Sequence, residues 1–278
     1  MVTRLKSRSD TTLLNFLKST LPEWRPKTIK ERLQKGCVLV NGEVVTHHAF
    51  SLSDQDEIEV HKTPVVVTQP KSPFPILHKD QWIVGIHKPD GLLSVGTDRE
   101  RNKHALAIMR NLLGQNEKLW PVHRLDRETS GVLLFARTKE VCDALQEHWN
   151  DAVKIYLAII EGHLHPPDGL IQEPLYEDKR LMVRVSSHHR AKDARTRYKT
   201  LKRSQTRSLV EIHLDTGRRH QIRAHMAHMG TPVVGDARYG QSDRRMALHA
   251  HRLSVTHPVT GQPVLLEASP PSIFRHLL

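Results

Sequence analysis

The chain predicts an α+β protein whose main sheet is mixed and mostly antiparallel, with helices flanking it. Three observations carry that expectation. Strand-like and helical runs alternate past residue 75, but the strands lie far apart and few regular β-α-β units can be traced, which disfavours a doubly wound sheet. The first 60 residues read as a small α+β unit of their own. Prolines spaced through residues 62–75 then mark a linker, giving units 1–61 and 76–278 on either side of it.

In the small unit, Asp10 or Thr11 is placed to cap a helix whose Leu13, Leu14, Leu17 and Leu21 recur at helical spacing. Pro26 suits the first turn of a second helix and Gly36 its end. Val38–Val40 and Glu43–Val45 then read as two strands joined by Asn41-Gly42, the strongest short hairpin signal. A further strand follows at 56–60. Up to Gly36, nine basic residues face three acids, and Lys27, Lys30, Arg32 and Lys35 crowd the second helix.

Beyond the linker, residues 81–86, 132–136, 155–160, 181–185, 208–214 and 262–267 read as strands. Thr138 is placed to cap a helix running to about Trp149, with Val141, Leu145 and Trp149 on one side. Along 208–214, Val210, Ile212 and Leu214 alternate with Glu211 and His213, so one face is buried. A helix from about Arg219 carries Gln221, Ala224, Ala227 and His228 on one stripe and Ile222, Met226 and Met229 on another, suited to packing.

A formal charge of +12 over 278 residues points to a polyanionic partner, with affinity that falls as salt rises. Residues 179–207 hold eleven Lys or Arg and one acid, Asp193, and are expected to form a solvated face or loop that touches nucleic acid. Cys37 and Cys142 share no pairing or zinc-binding spacing, so a reducing compartment, the cytoplasm, is expected. No run is long enough to span a membrane, and no secretory signal opens the chain. Neither a P-loop nor a dinucleotide fingerprint is present, so no nucleotide cofactor is expected. His220, His225 and His228 are not a metal set: a spacing of five turns ring from ring by about 140° on a helix, and no carboxylate completes the group.

Two stretches carry the chemistry. His123-Arg124-Leu125-Asp126-Arg127-Glu128-Thr129-Ser130-Gly131 sets a carboxylate among basic side chains, and neighbouring cations favour its ionised form. Such a carboxylate serves as nucleophile or general base. If the backbone is extended there, Arg124 projects to the same side as Asp126. The second stretch, Thr216-Gly217-Arg218-Arg219-His220-Gln221-Ile222-Arg223, is a turn leading into a helix.

The first stretch resembles the H-R-L-D-x-x-T-S-G signature of the RluA-type pseudouridine synthases, and the second their T-G-R-x-H-Q-I-R block. Gly230–Asp236, Tyr239-Gly240, Lys88-Pro89-x-Gly91 and Leu248-His249-Ala250 are similar to the family in the same order, from about residue 75 to 271. The resemblance implies isomerisation of uridine to pseudouridine in RNA, with no cofactor and no metal. It implies Asp126 as the catalytic carboxylate and Arg223 as the arginine that pairs with it. Tyr156 of Lys154-x-Tyr156 is implied to stack on the target ring, and Arg124 to fill the place of the flipped base. His123, Arg127, Arg218 and His220 are further candidates for substrate or RNA contact. Arg219 and Glu128 depart conservatively from the family pattern.

The helix–helix–hairpin with Val38-x-Val40-Asn41-Gly42 resembles the S4 RNA-binding module, whose contacts would come from Lys27, Lys30, Arg32 and Lys35. That module favours large-subunit rRNA over tRNA as substrate. A tRNA-modifying member of the family and a catalytically silent RNA-binding assembly factor are the alternatives. The protein is expected to act as a monomer without membrane association.

Overall fold

The computed structural model describes residues 2–65, 72–98, 100–114, 118–243 and 245–278. It divides into two compact units, Met1–Lys71 and Ser72–Leu278. The linker residues 66–71 lie outside the described residues.

The first unit comprises β1 (Val2–Lys6), β2 (Thr11–Thr12), α1 (Leu13–Thr20), α2 (Pro26–Gln34), β3 (Val38–Val40), β4 (Glu43–Val44), β5 (Ser51–Leu52) and β6 (Glu57–His61). Four strands form one sheet in the order β1-β6-β3-β4. The cap of α1 is neither Asp10 nor Thr11 but Thr12, whose hydroxyl accepts the Asn15 N–H at 3.4 Å. Thr11 is drawn instead into pairing with Leu52. Asn41 and Gly42 take φ of 50° and 82°, the left-handed pair that a two-residue hairpin requires. Leu13 and Leu17 of α1 pack on Ile29 and Leu33 of α2 and Ile58 of β6. Each such leucine, fully buried, contributes about 1.5–3 kcal/mol.

The second unit comprises β7 (Ile76–Lys79), β8 (Ile83–Lys88), α3 (Ala105–Leu113), β9 (Trp120–Pro121), β10 (Ser130–Ala136), α4 (Lys139–Glu147), β11 (Val153–Glu161), β12 (Asp168–Ile171), β13 (Leu175–Glu177), β14 (Val183–Val185), β15 (Thr196–Arg203), β16 (Arg207–Leu214), α5 (Gln221–His228), β17 (Leu248–Thr256), β18 (Pro263–Glu267) and α6 (Phe274–Leu277). Its ten-stranded sheet runs β12-β15-β16-β11-β17-β10-β8-β7, with β18 beside β17 and β9 beside β10. The expected mixed, mostly antiparallel sheet is what forms. Its parallel junction joins β10 to β17 through Ser130–His249 and Gly131–Ala250. Gly131 sits there at φ 120°, where a Cβ would lie 2.1 Å from the Ala250 carbonyl oxygen, so only glycine fits the seam.

Helices cover both faces. Val132 and Leu134 of β10 pack against Val141 and Leu145 of α4, whose Thr138 hydroxyl accepts the Val141 N–H as the sequence predicts. The alternate residues Leu133 and Phe135 meet Leu106 and Met109 of α3 on the other face. Ile222 and Met226 of α5 pack on Ile160, Val210 and Ile212. Met229, grouped with them by spacing, is exposed because α5 ends before it. The basic run 179–207 is part strand and part loop: it contains β14 and β15, joined through 186–195, and β15 alternates buried Thr196 and Tyr198 with a solvated face that carries Arg197 and Lys199.

Candidate active site

A cleft of about 740 Å³, within the range of small-molecule sites, lies where the loop before β10, strand β11 and the start of α5 converge. Asp126, Arg124, Tyr156, His123, Arg218, His220 and Arg223 all line it.

The Asp126 loop is held from behind. Leu125 is buried, and the Ser94 hydroxyl accepts its N–H at 3.0 Å while donating to its carbonyl at 2.9 Å. One residue past Asp126, the carbonyl of Arg127 accepts from the Lys88 ammonium at 3.2 Å. Lys88 is fully buried and also donates to Pro89 and Leu92, at 2.8 and 2.7 Å; burial pushes its pKa down to about 8. With Leu125 turned into the core, Arg124 and Asp126 both face the cleft, the alternation expected of extended backbone.

The cation beside Asp126 comes from the other end of the sequence. Arg223 Nη1 donates to Asp126 Oδ2 at 3.0 Å, while Nε and Nη2 bind both oxygens of Asp236 at 2.7 and 2.8 Å. Burial opposes the charge on this guanidinium, but the two carboxylates outweigh it and raise its pKa. Asp236 was not singled out from sequence, although it is the one acid between Asp215 and Asp243. The cation next to Asp126 in sequence, Arg127, turns away to Glu100 at 2.7 Å and does not line the cleft.

His220 caps α5 in the left-handed region at φ 50°, with its Nδ1 3.0 Å from the Tyr239 hydroxyl and its Nε2 3.7 Å from Asp126 Oδ2. Burial lowers its pKa despite that carboxylate. Gln221 locks the turn before the helix: its carbonyl accepts from Thr216 and Arg218, and its amide donates to Arg195 and Thr196. Tyr156 follows a bulge in the β11–β17 pairing and is half-buried; burial, then the Asp126 charge, raises its pKa and keeps the phenol protonated. His123 is stacked on Trp149 at 4.8 Å, and its Nε2 accepts the Leu134 N–H at 3.1 Å. Burial, then the Lys154 charge, lowers its pKa to about 3, so it serves as a neutral wall.

Arg124 has no ion-pair partner among the described residues and is exposed at the cleft mouth. In the first unit, Lys27 and Lys30 are exposed on α2 and Lys35 at its C-cap. Arg32 is engaged within the fold, over the Trp24 ring at 4.5 Å and donating to the His61 carbonyl at 2.9 Å.

Under the cleft, the Ser130 hydroxyl donates to His249 Nδ1 at 2.8 Å, and His249 Nε2 donates to the Ala268 carbonyl at 2.9 Å. His249 is fully buried, and burial pushes its pKa down to about 4. An unfolded imidazole binds a proton near pH 6.5, so the unfolded chain holds more protons between about pH 4 and 6.5. Stability is therefore lost as pH falls through that window. We expect about 2 kcal/mol from this group between pH 7 and pH 5. Urea unfolding of a His249→Gln variant, which keeps an acceptor and a donor, should show a flatter pH dependence; an unchanged dependence would remove the assignment.

A family model described as RNA pseudouridylate synthase matches residues 82–228, from the edge of β8 through α5. Fold and cleft thus define the class, an RNA-modifying isomerase. The chain is 30% identical to ribosomal large subunit pseudouridine synthase D of Xanthomonas campestris pv. campestris, over 94% of this chain and 86% of that protein. It is 35% identical to tRNA pseudouridine synthase C of Pasteurella multocida, over 69% of this chain and 89% of that one. The structure of human RNA pseudouridylate synthase domain containing 4 superposes with a TM-score of 0.61 at 28% identity, covering 72% of this chain and 90% of that one. The chain belongs to the RNA pseudouridylate synthase family and is an RNA pseudouridine synthase. Among the described residues, no helix is long and apolar enough to cross a membrane.

Proposed function

We propose that the protein isomerises uridines of large-subunit rRNA, with Asp126 as the reacting carboxylate on a flipped-out nucleotide. The observation that carries the site assignment is Arg223, clamped by Asp236 and aimed at Asp126 from the floor of the cleft. Extruding the nucleotide costs a few kcal/mol, and Arg124 at the mouth is placed to fill the gap it leaves. Tyr156 supports the ring, with its hydroxyl protonated. Asp126 then either attacks the nucleoside or removes a ribose proton. The C1′–N1 bond breaks, a C1′–C5 bond forms, the hydrogen on C5 leaves as a proton, and the freed N1 takes up one proton. Arg218 and His220 contact the strand around the target.

The substrate preference rests on the first unit, read as an S4-like RNA-binding domain before a catalytic domain at 76–278. Of the two relatives described above, the one named for the ribosomal large subunit matches 94% of this chain, a span that takes in the first unit, whereas the tRNA-named one matches 69%. Exposed Lys27, Lys30 and Lys35 supply phosphate contacts. Buried, unpaired Cys37 and Cys142 fit a reducing cytoplasm, where the protein acts as a monomer.

Mapping pseudouridines in total RNA from cells with and without the protein tests this. Sites in large-subunit rRNA should disappear and tRNA should keep its full set. Loss confined to tRNA would replace the rRNA reading with the tRNA one.

A further inference from the structure

The hairpin β13–β14 and the turn that follows it carry an aromatic stack that the chemistry at Asp126 does not use. The Tyr176 and His188 ring centroids are 4.1 Å apart at 29°, and those of His188 and His189 are 4.3 Å apart at 30°. Tyr176 is half-buried, and both histidines are exposed.

Backbone bonds fix the central ring. The Arg190 N–H donates to His188 Nδ1 at 3.1 Å, the Ala191 N–H to the His188 carbonyl at 2.8 Å, and the His188 N–H to the Ser186 hydroxyl at 3.1 Å. On the same strand pair, exposed Arg184 stands directly opposite Tyr176. A preset ring stack beside an open cation is the composition of a single-strand nucleic-acid platform, where bases stack on aromatics and phosphates meet arginine.

The hairpin is also bolted to the rim of the cleft. Glu177 forms an ion pair with Arg219, which lines the cleft. The Val183 N–H donates to the Tyr239 hydroxyl at 3.2 Å, the same hydroxyl that meets His220. Arg238 donates to the Leu181 carbonyl at 2.8 Å. A strand whose target nucleotide enters the cleft therefore has a rigid shelf beside it.

We propose that the Tyr176–His188–His189 stack receives an unpaired base of the substrate RNA next to the target nucleotide, with Arg184 against an adjoining phosphate. The proposal rests on the reading that the target enters the Asp126 cleft. Stacking on rings tolerates any base, so the platform contributes affinity and strand direction more than sequence choice.

Two substitutions separate ring from fold. His188→Asn keeps an acceptor for the Arg190 N–H and removes the ring; His188→Phe restores a ring and loses the acceptor. The probe is a short mixed-sequence single-stranded ribo-oligonucleotide, compared with its abasic counterpart. The Asn variant should bind the oligonucleotide about tenfold more weakly with an unchanged salt slope, and bind the abasic strand like wild type. The Phe variant should bind both like wild type. Arg184→Ala should lower the salt slope by about one. Wild-type affinity in the Asn variant, or equal losses in the Asn and Phe variants, would overturn the platform. Release of the C5 hydrogen by the Asn variant at saturating full-length substrate should match wild type. That keeps a failed platform distinct from a misassigned cleft, and a slowed saturated rate would also count against the platform.

Discussion

Asp126→Asn is expected to abolish pseudouridine formation while leaving the fold and RNA affinity in place. The substitution keeps the shape and an oxygen that accepts from Arg223, and Arg223 retains its two bonds to Asp236. What is lost is the carboxylate's capacity to attack carbon or take a proton. A positioned acid or base contributes about 10²–10⁴-fold, and a nucleophile more, because the amide offers no substitute. Release of tritium from C5-labelled uridine in RNA measures the chemistry directly, and a filter-binding titration measures affinity. A catalytically silent assembly factor would lose nothing on this substitution. Turnover at the wild-type rate would end the assignment of Asp126.

Asp236→Asn should give the largest loss of stability. Arg223 and Asp236 are both buried, and the same carboxylate accepts the N–H groups of Arg238 and Tyr239 at 3.0 and 3.2 Å. Neutralising Asp236 leaves the buried guanidinium with the half-exposed carboxylate of Asp126 alone, and breaking such a buried pair costs about 3–5 kcal/mol. The guanidinium would also lose its aim at Asp126, so activity should fall in the fraction that still folds. Chemical unfolding of Asp236→Asn, Arg223→Met and the double variant measures the coupling. The double variant should lose less than the sum of the singles. Strict additivity, or a single-variant loss below about 1 kcal/mol, would show that the pair is not coupled as its geometry requires.

Features legible in the sequence were those fixed by neighbours along the chain. Asn41-Gly42 forms its hairpin because the left-handed conformations are intrinsic to those residues, and Thr138 caps α4 because its hydroxyl needs only the next turn. The apolar run in β10 was readable because both faces of that strand are covered. Polar strands escaped notice. β1, with its exposed residues, takes its place from pairing with β6, and β15 hides among arginines and lysines because one face meets solvent. At the site, adjacency misled: Arg127 lies next to Asp126 in sequence, yet its side chain reaches Glu100. The partner Arg223 was reached through motif resemblance, not local pattern. Asp236 ends a stretch similar to the family, but nothing local marks it as the clamp on Arg223, and Ser94 lies in none of those stretches, because a buried acid or hydroxyl is specified by what folds around it.

The loop carrying Asp126 leads into β10, while Arg223 hangs from the helix after β16, so the pair straddles the parallel seam of the sheet, 97 residues apart in the chain. Neither flank of that seam owns an intact centre. A chain emerging during synthesis therefore cannot bring Asp126 and Arg223 together until α5 has been made and the two flanks have met.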